Sequence, residues 1–216
     1  MGEIIVNISI LFRLGVLGVV FFIGGFGAEA FAADARVVDL TGMAWRTVSA
    51  KDGTRAETPL KAGDGLSAGE SFRTGPKTLL RMKLGDDVAI LVKSSSRARL
   101  ALNDGKDWEV DLENGQVLSA IKNPEKRPNH FSLHTHAATM GVRGTAFFVS
   151  EQKGKPTYVC TCHGTVEIRD GKGKVLREVT TTHHESPLNL ATPIVASTEE
   201  PNHTDAEIAI LENLLK

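Results

Sequence analysis

The residues best suited to chemistry in this 216-residue chain are its two cysteines and a few of its seven histidines. Cys160 and Cys162 stand in Thr157-Tyr158-Val159-Cys160-Thr161-Cys162-His163-Gly164. In an extended strand, a spacing of two puts both thiols on one face and His163 on the other. The pattern is neither the Cys-x-x-Cys-His of haem attachment nor the Cys-x-x-Cys of thioredoxin-like sites. His183 and His184 follow on a strand that returns across Gly171-Lys172-Gly173. If Asp170 pairs with Lys174, Cys160 falls opposite His184 and Cys162 opposite Thr182. A one-residue slip brings Cys162 opposite His183. Two thiolates with one or two imidazoles suit zinc or another borderline transition ion, so Cys160, Cys162, His183 and His184 form the candidate metal site. Two other states of the thiols stay open. Paired cysteines are common in oxidising compartments, although a Cys-x-Cys disulfide closes a small, strained, reducible ring. Free structural thiols are the third state. His134 and His136 share another strand face and belong to the same cluster or to a second one.

No catalytic set accompanies these residues. The sequence contains no Gly-x-Ser-x-Gly, no P-loop and no His-Glu-x-x-His, and Asp86-Asp87 sits where turn conformation alone favours acids. The expectation is a non-enzymatic protein with no catalytic residues.

The elements that would position the thiols are short strands. Glycine is frequent, with 21 residues, and aromatics are few. Apolar runs of strand length recur between turn signals. Leu79–Leu84 and Val88–Val92 flank Gly85-Asp86-Asp87, and 108–112 and 116–121 flank Asn114-Gly115, both read as hairpins. Phe147 and Val149 face one side of a strand while Ala146 and Phe148 face the other, so this strand is buried on both. The fold class is all-β: stacked antiparallel short strands, as a sandwich or solenoid-like, with a short C-terminal helix. That helix, 204–216, has Thr204 as its N-cap and Ile208, Leu211, Leu214 and Leu215 near one face. At this length it is marginal alone, so docking on the sheet is expected. Residues 186–203 carry three prolines and read as an extended linker.

Residues 14–23, Leu-Gly-Val-Leu-Gly-Val-Val-Phe-Phe-Ile, follow Arg13 and precede the small-x-small steps Ala28-Glu29-Ala30 and Ala30-Phe31-Ala32. This predicts a signal peptide over 1–32, with a retained inner-membrane anchor as the alternative. Either places the remainder in the periplasm. Removing 1–32 takes Glu3, Arg13 and Glu29 and leaves no net formal charge. The charges are mixed along the chain, which argues against a nucleic-acid partner.

Met140-Gly141-Val142-Arg143-Gly144-Thr145-Ala146-Phe147-Phe148-Val149 resembles the Val-Arg-Gly-Thr-x-Phe-x-Val signature of FecR-like domains. The Leu112-Glu113-Asn114-Gly115-Gln116-Val117 step, and the His163-Gly164-Thr165-Val166 step, resemble other elements of that family in the same order. The resemblance runs from about Val38 to Arg169, within a β domain read as 36–185. Val142, Arg143, Gly144, Thr145 and Phe147 are its signature, read as mostly structural, with Arg143 as an ion-pairing or carbonyl-capping residue. Named regulators of the family also carry a cytoplasmic anti-sigma segment. The residues before Arg13 are too few to fold as one, so sigma-factor regulation is not carried over. What the resemblance implies is a periplasmic binding or signal-relay module that recognises a cell-envelope protein or glycan. The alternative is a metal- or redox-responsive sensor built on the Cys-x-Cys and His-His residues.

Overall fold

The computed structural model describes residues 35–49, 54–104, 106–122, 131–184, 187–199 and 202–216. The expected signal peptide, 1–32, lies outside them, as does the side chain of Arg143. Among the described residues no helix is long and apolar enough to cross a membrane.

The fold is all-β with one short C-terminal helix, as the sequence predicts. The chain opens with β1 (Ala35–Thr41), β2 (Ala44–Ser49), β3 (Arg55–Pro59), β4 (Gly65–Leu66) and β5 (Ser71–Thr74). A hairpin of β6 (Leu79–Leu84) and β7 (Val88–Val92) turns at Gly85, as expected. Next come β8 (Arg97–Asn103), the long β9 (Asp107–Ile121), and β10 (Phe131–His134). Two more long strands follow, β11 (Thr139–Glu151) and β12 (Thr157–Arg169). The chain ends with β13 (Val175–Thr181), β14 (Leu188–Leu190), β15 (Val195–Ala196) and α1 (Asp205–Asn213).

These strands join in one sheet that branches at β9 and β12. One half of β9 pairs with β8, which leads through β5 and β2 to β3. Its other half lies between β7 and β11. β10 wedges where β9 and β11 splay, parallel to β9 and antiparallel to β11. The sheet curls around a main apolar core to which every strand except β3 and β15 contributes.

Where the sequence suggests a hairpin at Asn114-Gly115, β9 instead runs straight through. Gly115 has φ +110, and a Cβ there would meet Ser96 Oγ at 2.1 Å. The Asn-Gly pair lets the strand bulge past Ser96, with Asn114 Nδ2 donating to Ser95 O at 3.0 Å, and does not reverse it. The bulge switches sides. Trp108, Val110 and Leu112 face the main core before it, as do Val117 and Ile121 after it. Leu118 and Ala120 then face a second, smaller core on the outside of the sheet.

The same switch occurs between β11 and β12, twice and in compensation. The register shifts between Arg143 and Ala146, then shifts back between Ala146 and Phe147. The first shift inserts a residue on β11 at Gly144-Thr145, the second inserts Cys162 on β12. On β11, Met140 and Val142 face the main core before the shift, and Phe147 and Val149 after it. Ala146 and Phe148 face the second core, so the strand is buried on both faces as expected. On β12, Tyr158, Cys160 and Cys162 face the second core while Val166 and Ile168 face the main one. The signature residues of β11 thus set the side on which the thiols lie.

α1 covers the second core. Thr204 Oγ1 accepts from Glu207 N at 3.2 Å, and Glu207 returns a bond to Thr204 N at 3.0 Å. This reciprocal cap satisfies helix-start donors that would otherwise be orphaned. Ile208, Leu211 and Leu215 are buried against the sheet, each contributing roughly 1.5–3 kcal/mol. Lys93 Nζ meets Glu207 Oε1 at 2.9 Å, and Lys122 Nζ donates to Leu215 O at 3.3 Å. The stretch 186–203, expected as an extended linker, contains β14 and β15, which extend the sheet from β12.

Gly164 opposes the Gly144-Thr145 shift with φ +86, and a Cβ there would lie 2.1 Å from Thr145 Oγ1. Gly164→Ala should therefore lower stability by about 2 kcal/mol or more. Gly171→Ala, whose Cβ would meet nothing within 4 Å, should stay within about 0.5 kcal/mol of the parent. Equilibrium denaturation of both variants checks this.

Candidate metal centre

Four donor atoms converge at the edge of the second core. Cys160 and Cys162 come from β12 and are fully or nearly buried. His184 comes from the turn after β13, and His203 from the residue just before the α1 cap. Cys160 Sγ lies 3.4 Å from His184 Nδ1, Cys162 Sγ 3.2 Å from His203 Nε2, and the two imidazole nitrogens 3.2 Å apart. All four donors lie within 4.8 Å of one another. A tetrahedral zinc ion, with bonds of about 2.0–2.1 Å to nitrogen and about 2.3 Å to sulfur, spreads its donors about 3.3–3.8 Å apart. Three of the six separations are close to those edge lengths, and the set has the two-sulfur, two-nitrogen chemistry of structural zinc sites. Both cysteines are free thiols.

Neighbours orient the imidazoles. His184 Nε2 lies 2.8 Å from Asp205 Oδ1, at the first residue of α1. The carboxylate holds a proton on Nε2, so a bound ion would be met by Nδ1, the arrangement usual behind metal-binding histidines. The His203 ring stacks on Phe148, with centroids 4.6 Å apart and planes inclined by 22°. Its Nδ1 is buried with no hydrogen-bond partner among the described residues.

The electrostatics split the two thiols. The Cys162 thiol beside it, with help from His203 and His184, holds Cys160 down to about 4 despite burial. Cys162 is pushed up, first by sharing its proton with Cys160, then by burial and the Cys160 charge. Burial works against a charged His184, yet Cys160 and Asp205 outweigh it and raise its pKa. Tyr158 is raised by burial and by the Cys160 charge. Before any ion arrives, the cluster holds one thiolate, which can make the first bond to a cation.

Three of the four residues singled out from the sequence meet here: Cys160, Cys162 and His184. His183 does not join them. β13 ends at Thr181, and the chain turns there, with Thr181 Oγ1 donating to His183 O at 2.6 Å. His183 is exposed, its ring edge-on to His184 at 4.7 Å. It falls in an outer group with His184 and Asp205. The β12–β13 hairpin does start in the Asp170–Lys174 register and then slips by one residue between Arg169 and Ile168. Simple alternation would put His163 opposite the thiols. The Cys162 insertion instead turns it toward α1, where Nε2 meets Glu212 Oε1 at 2.7 Å. His134 and His136 lie elsewhere, His134 near Ser132, Thr139 and Glu109, and His136 against Glu151.

His203 is the donor that sequence reasoning misses. Its signal is indirect. It immediately precedes the Thr204-x-x-Glu207 capping box of a helix expected to dock, so docking alone carries it to the sheet. Of the family signature, Val142, Thr145 and Phe147 are buried, and Gly144 takes φ +59 at the register shift.

Together these features define an all-β domain of branched antiparallel strands with a buried two-cysteine, two-histidine donor set. The family model described as FecR protein matches residues 70–167. Cys160 and Cys162 lie inside the match, and His184 and His203 lie beyond it. Two crystal structures of a candidate anti-sigma factor from Parabacteroides distasonis ATCC 8503 are similar at 16% identity and a TM-score of 0.49. The similarity spans 60% of this chain and 60% of that one. No curated protein matches the chain.

The metal-free protein should show the ultraviolet absorbance of one thiolate from above pH about 4 and, because Cys162 is pushed up, still of only one at pH about 9. Cys160→Ser should abolish it across that window. A spectral titration with no thiolate below the ordinary cysteine range would contradict the assignment.

Proposed function

We propose that this protein is a non-enzymatic signal-relay module of the bacterial cell envelope, and that a zinc-type transition ion held by Cys160, Cys162, His184 and His203 sets its state. The relay role follows the FecR domain over residues 70–167. The metal role rests on one observation: four donors lie within 4.8 Å of one another, three of their six separations being 3.2–3.4 Å, with a carboxylate behind one imidazole. Hydrogen bonding alone gives little reason to gather four lone-pair donors in an apolar pocket. An ion satisfies them all, and the second thiol releases its proton to solvent as its sulfur binds.

The module faces the periplasm, exported by the signal peptide read over 1–32, or held there if that segment is retained as an anchor. Its partner is another envelope protein or a glycan. Strand addition is the favoured route. β13 pairs with β12 on one side and carries Val175 and Leu176, each 44% exposed. Lys174 and Arg177 beside them are the kind of residues that keep such an edge soluble until a partner pairs with it.

Protein purified without chelator should contain about one zinc-type ion per chain by elemental analysis. Cys160→Ser and His203→Ala should each weaken binding at least about tenfold, while His136→Ala leaves it unchanged. A chain free of transition ions even after zinc is supplied, or one whose two thiols are lost to a disulfide when isolated from the periplasm, would overturn the metal role.

A further inference from the structure

We infer that the ion fastens the C-terminal segment, residues 202–216, onto the outer face of the sheet, so that metal occupancy decides whether that face is covered. The inference rests on the ion binding proposed above and adds what the ion controls.

The donor set is split across the chain. Both thiols belong to a central strand of the sheet, inside the FecR match. His203 belongs to the segment that leads into α1, and Asp205, which orients His184, is the first residue of α1 itself. An ion bound to all four donors closes a loop from Cys162 to His203 and anchors the start of the helix.

The remaining attachments are limited. α1 has nine residues and its last turn carries no basic residue to offset the helix dipole. A helix of this length does not persist alone. It buries Ile208 and Leu211, with Leu215 just beyond. Its polar ties are to Lys93, His163, His184 through Asp205 and, by a backbone carbonyl, Lys122, and Asn202 just before it donates to Gln116 Oε1 at 2.6 Å. Beneath it lie Leu91, Leu118, Ala120, Phe148 and Tyr158. Without the ion, His203 is held by ring stacking on Phe148 and by contacts of its Nε2 to Cys162 Sγ and His184 Nδ1, with its Nδ1 unpartnered. Losing the ion thus leaves the start of the helix to these contacts alone, the Asp205–His184 and Asn202–Gln116 pairs among them.

The test is amide hydrogen exchange on the full chain with zinc bound and after chelation, with zinc binding measured calorimetrically on the same preparation. Protection of 202–216 should fall at least about tenfold on chelation while β7, β9 and β11 stay protected. His203→Ala should show the fast pattern with or without zinc. Asp205→Asn, which leaves all four donors in place, should need more zinc to reach the slow pattern. Stoichiometric zinc binding with unchanged exchange in 202–216 would overturn the fastener and leave the metal site standing. No zinc binding would overturn both.

Discussion

The rest of this structure depends on the offset between β11 and β12 at Thr145 and Gly164. There the two backbones approach so closely that a Cβ on Gly164 would fall 2.1 Å from the threonine hydroxyl oxygen and 2.6 Å from Gly144 O. Thr145 Oγ1 uses that proximity to donate to Thr165 O at 3.1 Å. Each strand gains one residue on its partner and then gives it back. The consequence is a change of face. Without it, the even-numbered residues that line the main core in Met140 and Val142 would continue to do so in Ala146 and Phe148. Cys160 and Cys162 would still share a face, but it would be the main-core face of Val166 and Ile168, and the face α1 covers would lack both the thiols and the Phe148 ring on which His203 stacks.

Most of the architecture can be read from local pattern. The β6–β7 hairpin, the two-faced burial of Phe147 and Phe148, the Thr204 cap and the apolar face of α1 all follow from turn residues and periodicity. Gly115 shows the limit of such reading. An Asn-Gly pair between apolar runs has the chemistry of a hairpin turn. Here the same positive φ serves a bulge, because Ser96 of a distant loop presses on the backbone. A glycine specifies a backbone conformation, while its neighbours in space decide what the chain does with it.

The site shows the same division. Cys160 and Cys162 share a face because of their spacing, and His184 reaches them because β13 brings the chain back to the turn that carries it. These are local facts, legible within the span from Cys160 to His184. His183 drops out because β13 stops at Thr181, and His163 turns toward Glu212 because of the Cys162 insertion. Neither feature has a local signature. His203 is the furthest from sequence reach. It enters from a proline-bearing segment that folds back as β14 and β15, so its approach to Cys162 depends on tertiary docking.

A donor set split in this way joins two questions usually kept apart, what the domain binds and what holds its last helix. Both reduce to whether two sulfurs and two imidazole nitrogens share one ion. X-ray absorption at the metal edge of the zinc-loaded protein measures that directly. The account predicts a four-coordinate shell of two sulfurs at about 2.3 Å and two nitrogens at about 2.0–2.1 Å. A shell of oxygen and nitrogen alone, without sulfur, would contradict it.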